Sequence, residues 1–209
     1  MEGYQKYLQY FNKNRSQSFE LIDGKGKVLI SAPHCVSQTR NGKIKFSEPH
    51  TGVLAKMLHD AVGCPIICKL ANLGDDANYD EVSDYKDALL DYIVQNDIKF
   101  VIDLHQLAPS REVLLNIGTG GYTNLSDEKI VLLLKQKFES YNIRQISIDK
   151  PFTGGYPHTV SAFVAREGKV QSVQLEINSR LVIDEFEEFA FKNILDALID
   201  ITNELEKLL

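Results

Sequence analysis

Short apolar runs suited to buried strands alternate with amphipathic stretches along the chain, and this alternation constrains the fold more than any other feature. Residues 19–22, 27–32, 65–70, 98–104, 112–117, 144–148 and 170–177 read as strands. Between them, 49–62, 82–95 and 126–140 carry apolar side chains at helical spacing, and 184–209 reads as one long amphipathic helix. Residues 4–14 fit a helix or a loosely held arm, and 159–166 fit a helix or a strand. Asp23-Gly24-Lys25-Gly26 signals a hairpin between the first two strands, and Ser126 is placed to cap a helix. The polar stretch 35–47 reads as a loop with a turn at Asn41-Gly42. Strands alternating with helices imply an α/β protein with a mixed, largely parallel sheet flanked by helices. No linker, repeat or low-complexity tract interrupts the pattern, so residues 1–209 are expected to form a single domain.

Charge and cysteine usage narrow the functional class. The 23 basic and 29 acidic side chains leave a net charge of −6, against the basic excess of a general nucleic-acid binder. No apolar run approaches the roughly 18 residues of a membrane span. Met1-Glu2-Gly3-Tyr4-Gln5 lacks the basic-then-apolar order of a signal peptide. Cys35, Cys64 and Cys68 are odd in number and read as small buried hydrophobes, which fits a cytoplasmic setting. No paired cysteines elsewhere complete a zinc site with them.

The polar residues that carry chemistry collect where strands end. In open α/β sheets, ligands bind beyond the carboxyl ends of the strands. His34 follows the strand ending at Ala32, His105 follows the strand through Ile102, and Glu176 lies near the end of 170–177. Two histidines and a carboxylate form a familiar zinc set, and a separate carboxylate can then act as base. His34, Glu48 and His105 are therefore assigned to the metal and Glu176 to the base. His50, two residues after Glu48, is an equally good ligand type and stays open as the third. Asp103 projects to the same side of the strand as His105 and can fix its imidazole. Glu176 stands among Val173, Leu175 and Ile177, where a carboxylate needs a partner or a raised pKa.

Softer signals surround this set. Asn78 and Arg111 lie in loops after strands, and an Arg with an Asn suits a substrate carboxylate. His158, in a Gly-rich loop, is either a substrate contact or a surface residue, and His59 reads as solvated. Gly118-Thr119-Gly120-Gly121 lacks a phosphate-loop pattern and reads as a turn. The acidic run Asp184-Glu185-Phe186-Glu187-Glu188 suits a helix start.

Several of these segments, taken in order, resemble the N-formylglutamate amidohydrolase family. Ala32-Pro33-His34 and Asp103-Leu104-His105 are similar to its metal motifs. Gly154-Gly155-Tyr156, the strand Gln174-Leu175-Glu176-Ile177-Asn178, then Arg180, Leu181 and Asp184-Glu185 resemble its C-terminal part. Asp76-Ala77-Asn78 is similar to the substrate motif of the wider zinc carboxypeptidase and aspartoacylase group. The matches depart at Cys35-Val36, where the family favours Ser-Gly, at Tyr79, where the wider group often has Arg, and at Ser179, which precedes Arg180.

The resemblance implies a zinc-exopeptidase (phosphorylase/hydrolase)-like fold with one zinc per chain. It implies hydrolysis of an amide next to a carboxylate-bearing group, with His34 and His105 as ligands, Glu176 as base, and Asn78 and Arg180 as substrate contacts. Arg111 or Arg180 would then stabilise the oxyanion or the substrate carboxylate. The expected partner is a small carboxylate substrate such as an N-acyl amino acid, with neither nucleic acid nor membrane; the oligomeric state is left open. The competing readings are a carboxypeptidase or poly-glutamate hydrolase on the same fold, and a carboxylate-binding protein without turnover.

Overall fold

A computed structural model of the chain describes residues 2–183 and 189–209. Helix α1 (Glu2–Phe11) leads into β1 (Phe19–Ile22), β2 (Val28–Ala32) and a small hairpin of β3 (Gln38–Arg40) and β4 (Lys43–Lys45). Then come α2 (Pro49–Val62), β5 (Ile66–Lys69), α3 (Asp84–Gln95), β6 (Phe100–Leu107) and β7 (Leu115–Gly118). The chain continues through α4 (Glu128–Ser140), β8 (Ile146–Ile148), α5 (Val160–Glu167), β9 (Gln171–Asn178), a short 3-10 turn and α6 (Ala190–Leu208).

Seven strands form one sheet in the order β1-β5-β2-β6-β9-β7-β8. The four central strands, β5, β2, β6 and β9, are mutually parallel. β1 and β7 join them antiparallel, so the sheet is mixed and largely parallel. Both faces of the centre are covered, which is why Val28-Leu29-Ile30 and Phe100-Val101-Ile102 are continuously apolar. On one face Val28, Ile30, Phe100, Ile102, Val173 and Leu175 pack against α1, α2, α4 and α6. On the other, Leu29, Ile67 and Val101 pack against Tyr85, Leu89 and Ile93 of α3 and Val160 and Val164 of α5. Among the described residues no helix is long and apolar enough to cross a membrane.

The structure corrects several local expectations. Residues 19–32 do not form a hairpin, because β5 inserts between β1 and β2 and pairs with both. The intervening loop instead ties to the end of α2, with Lys25 N–H donating to the Gly63 carbonyl at 2.7 Å. The stretch 35–47 is not all loop but carries the β3–β4 hairpin around Asn41-Gly42. Asp127 rather than Ser126 caps α4, its carboxylate accepting from Lys129 N–H. Residues 159–166 resolve as helix, with the Thr159 side chain accepting from Ala162 N–H. His59 is not free in solvent: its Nδ1 lies 2.7 Å from the Cys64 carbonyl. The acidic run 184–188, with the Asp184-Glu185 of the resemblance and the expected helix start, lies outside the described residues; α6 begins at Ala190.

Candidate active site

Three adjacent parallel strands, β2, β6 and β9, end side by side and carry the site. In the β6–β9 register Asp103 stands opposite Gln174 and His105 opposite Glu176. Side chains alternate along a strand, so Val101, Asp103 and His105 share one face with Ser172, Gln174 and Glu176. This face is apolar at Val101, beneath α3 and α5, and turns polar toward the strand ends.

Glu48 lies between the two imidazoles. It precedes Pro49 at the start of α2, and its backbone N–H donates to the His34 carbonyl at 2.7 Å, folding the 35–47 segment back onto the end of β2. Oε1 of Glu48 is 3.1 Å from His34 Nδ1, and Oε2 is 3.4 Å from His105 Nδ1. Oε2 also accepts from Gln106 N–H at 3.0 Å. One ligand atom from each of His34, Glu48 and His105 can be chosen so that all lie within 4.8 Å of one another.

The far side of each imidazole is fixed by a buried aspartate. Asp76 Oδ1 is 3.0 Å from His34 Nε2, and Asp103 Oδ2 is 3.1 Å from His105 Nε2. Each imidazole thus turns Nδ1 toward the shared carboxylate and Nε2 toward its own aspartate, an arrangement that orients metal-binding histidines. Asp103 is held in turn by the Ser31 hydroxyl, which donates to Oδ1 at 2.8 Å and sits 2.9 Å from the Tyr85 hydroxyl. His50, the other candidate ligand, stands apart, with Nδ1 3.2 Å from Gln106 Oε1 and its ring stacked on Tyr4. Two nitrogens and a carboxylate oxygen are a donor set that fits zinc and leaves room for further ligands.

The electrostatics follow from crowding these charges in a buried place. Burial pulls the His34 imidazole down, but the Glu48 carboxylate and hydrogen bonds with Asp76 and Glu48 outweigh it and raise it to about 8. His105 is raised too, against its burial, by Asp103 and Glu48. Burial pushes Glu48 up, yet the two histidines draw it down to about 2. Glu176 behaves oppositely. Burial and the nearby Glu48 charge push it up to about 7, against the opposing pull of the histidines and of a Gln174 hydrogen bond. The two carboxylates therefore separate into an ionised one between the histidines and one poised to exchange a proton near neutral pH.

These groups open into a cleft of about 630 Å³ whose lining includes His34, Glu48, His105 and Glu176. Asn78, Arg111 and His158 also line it, on loops that follow strands. Asn78 Oδ1 accepts from Val160 N–H at 2.7 Å, which leaves its amide NH2 as the donor for a ligand. Arg111 and His158 are exposed on the rim. Arg180 does not join them. It lines a separate crevice, and its Nη2 donates to the Arg111 carbonyl at 2.7 Å, so the expected direct substrate contact gives way to a hold on the Arg111 backbone. Gly154, with φ +68°, brings the 152–158 loop against Gln174; a Cβ there would lie 2.8 Å from the Gln174 Cβ.

Some residues of the site were not singled out by sequence. In the sequence Asp76 stands out as part of Asp-x-Asn, but nothing marks it as a partner of His34. Gln174 donates to Glu176 Oε1 at 2.8 Å and orients it, while its own Oε1 is buried without a partner. Arg40 reaches the cleft from β3 and pairs with Asp76 through Nη2 at 2.8 Å. The Gln-x-Glu spacing, which places both side chains on one face of a strand, was the signal available for Gln174. Arg40 offered none, because its hairpin has no apolar periodicity.

No protein-family profile and no curated protein sequence matches the chain. Solved structures share its fold. A bacteriophage poly-gamma-glutamate hydrolase aligns with a TM-score of 0.61 at 13% identity, over 95% of this chain and 94% of the other. The succinylglutamate desuccinylase from Chromobacterium violaceum aligns with a TM-score of 0.55 at 14% identity, over 88% and 67%. A metallo-carboxypeptidase from Burkholderia cenocepacia gives 0.52 at 10% identity, over 97% and 68%. At these identities the likeness establishes a common architecture, a mixed sheet flanked by helices.

Proposed function

We propose that this protein is a hydrolase that uses one zinc ion per chain to cleave an amide bond in a small carboxylate-bearing substrate such as an N-acyl amino acid. The observation that carries the proposal is the gathering of His34, Glu48 and His105 around one point beside Glu176, a buried carboxylate raised to about 7. Similar folds named as a poly-gamma-glutamate hydrolase, a desuccinylase and a metallo-carboxypeptidase support the class, and the ordered resemblance to N-formylglutamate amidohydrolases favours an N-acyl amino acid.

His34, Glu48 and His105 would hold the zinc, which when bound polarises the scissile carbonyl and acidifies a water. Asp76 and Asp103 keep both imidazoles in the tautomer that presents Nδ1. Glu176 accepts a proton from the attacking water and delivers it to the leaving nitrogen. Gln174 holds Glu176 in place for both transfers. The Asn78 amide, on the cleft wall, meets the substrate carboxylate, the Arg111 guanidinium meets the developing oxyanion, and His158 contacts the substrate from the rim.

The test begins with metal content in untagged protein purified without added zinc. About one zinc per chain, lost in His34→Ala and His105→Ala, together with turnover of an N-acyl amino acid panel, is the expected result. No metal even after zinc is supplied would overturn the proposal and favour a carboxylate-binding protein without turnover. Turnover of short peptides in place of N-acyl amino acids would move the substrate to the peptidase class.

A further inference from the structure

Arg40 is a cation built into the cleft rather than draped over its edge. It ends β3 at the Asn41-Gly42 turn, whose φ angles of 51° and 71° reverse the chain. Its Nε lies 2.9 Å and its Nη2 2.8 Å from one oxygen of Asp76, which is fully buried. The guanidinium carbon sits 4.6 Å from the Tyr79 ring centroid, and the Tyr79 hydroxyl accepts from Asn41 Nδ2 at 2.9 Å. The group is thus fixed along one edge and across one face.

A guanidinium presents its N–H donors as a rigid fork. Asp76 engages the Nε–Nη2 side, and the Nη1–Nη2 end is left for another planar anion. Arg40 lines the cleft together with Asn78, whose free donor is its amide NH2. The other oxygen of Asp76 holds His34, so the guanidinium lies one carboxylate away from the histidine cluster. Arg111 differs: it is exposed, and its guanidinium carbon lies 5.9 Å from the Phe152 ring.

We propose that Arg40, with the Asn78 amide that lines the same cleft, forms the subsite that grips the substrate carboxylate, and that it selects substrates whose carboxylate lies close to the scissile amide. This rests on the reading of the cleft as a hydrolase site and assigns its specificity. The carboxylate pairs bidentately with the free end of the guanidinium, while Asp76 keeps the fork from swinging away.

The test is binding, so it stands apart from turnover. 4-Oxopentanoate and 4-oxopentanamide, the analogues of N-acetylglycine and its amide with CH2 in place of the scissile N–H, are titrated by calorimetry into protein as purified, with metal counted in the same samples. Wild type binds the carboxylate at least about tenfold more tightly than the amide, as expected for a charge-assisted pair. Arg40→Met abolishes that preference. Arg40→Lys, which keeps a charge beside Asp76 but loses the fork, retains part of it, and Lys43→Met, an exposed neighbour on the hairpin, retains all of it. A structural effect of the Arg40 variants would weaken both ligands equally and leave their ratio unchanged, which would overturn the proposal. So would a preference lost in Arg111→Met and kept in Arg40→Met. If the protein holds no metal and hydrolyses nothing, yet the preference still depends on Arg40, the hydrolase reading fails and the subsite stands.

Discussion

His34 and His105 share a single carboxylate: Glu48 places Oε1 3.1 Å from Nδ1 of the first and Oε2 3.4 Å from Nδ1 of the second. The two histidines come from different strands, and their rings meet edge to face with centroids 4.7 Å apart. Such close approach of two raised imidazoles is tolerable because the anion lies between them.

Glu48 is therefore expected to matter more for metal than for fold. Glu48→Gln keeps the shape and removes the charge, and zinc affinity should fall at least about 100-fold because an anionic ligand is lost. Competition against a chromophoric chelator measures this. An unchanged affinity would remove Glu48 from the ligand set.

Asp103→Asn should leave the ligands in place but weaken zinc binding by about 10- to 100-fold, since it disturbs the hydrogen bond that orients His105. The same competition assay reads the change, and histidine ring resonances would report a shifted tautomer. Loss of folding instead of affinity would make Asp103 a structural residue.

Glu176→Gln should keep about one zinc per chain and lose turnover by roughly 100- to 10,000-fold, the usual worth of a general base. In the wild type, activity should fall as pH drops, because Glu176 must be ionised to accept a proton. The limb should lie at or below about 7, the value in the metal-free protein, because a bound cation favours the carboxylate. Loss of zinc in this variant would make Glu176 a ligand.

Metal-free protein should lose stability as pH rises. Folding raises His34 from 6.5 to about 8, so its contribution is complete below 6.5 and disappears as pH passes 8; it is worth about 2 kcal/mol. Glu176 acts in the same direction, because folding favours its protonated form, and that contribution is lost between 4.5 and about 7. Zinc binds the neutral imidazoles, so loaded protein should be stabilised over the same range. Melting curves at pH 5, 7 and 8.5, with chelator and with zinc, separate the two. A metal-free protein that melts higher at 8.5 than at 5 would contradict the linkage.

Tyr85 is predicted to support the site from below. Its hydroxyl accepts from Ala32 N–H at 3.1 Å, donates to the Ile67 carbonyl at 3.0 Å and contacts Ser31, all in buried surroundings. Tyr85→Phe strands the Ala32 N–H and should cost about 1–3 kcal/mol in denaturant unfolding. A loss below about 0.5 kcal/mol would show that the network relaxes around the missing oxygen.

The sequence made the centre of the fold legible and its margins less so. Continuous apolar runs at 28–30 and 100–102 suit strands covered on both faces, and in a parallel sheet polar residues that follow such strands collect at one edge. The pairing of β1 was not readable, because it depends on β5, more than a helix further along the chain, entering between two neighbours. Lys43-Ile44-Lys45 gave no strand signal because all three residues are exposed. The same logic divides the site. His34, His105 and Glu176 end or lie in strands whose neighbours predict their placement. The role of Asp76 rests on a contact with His34 across 42 residues of sequence, and Arg40 depends on that contact in turn.

The hairpin between His34 and Glu48 is closed at its base by the Glu48 N–H to His34 carbonyl bond of 2.7 Å. That clasp divides the segment into a stem and a head. The stem sets the spacing of His34 and Glu48, while Arg40, at the end of β3, ties the head to Asp76 and through it to His34. A change of charge at Arg40 would therefore be felt at the histidine cluster, whereas the exposed residues of β4 stand one strand further from it.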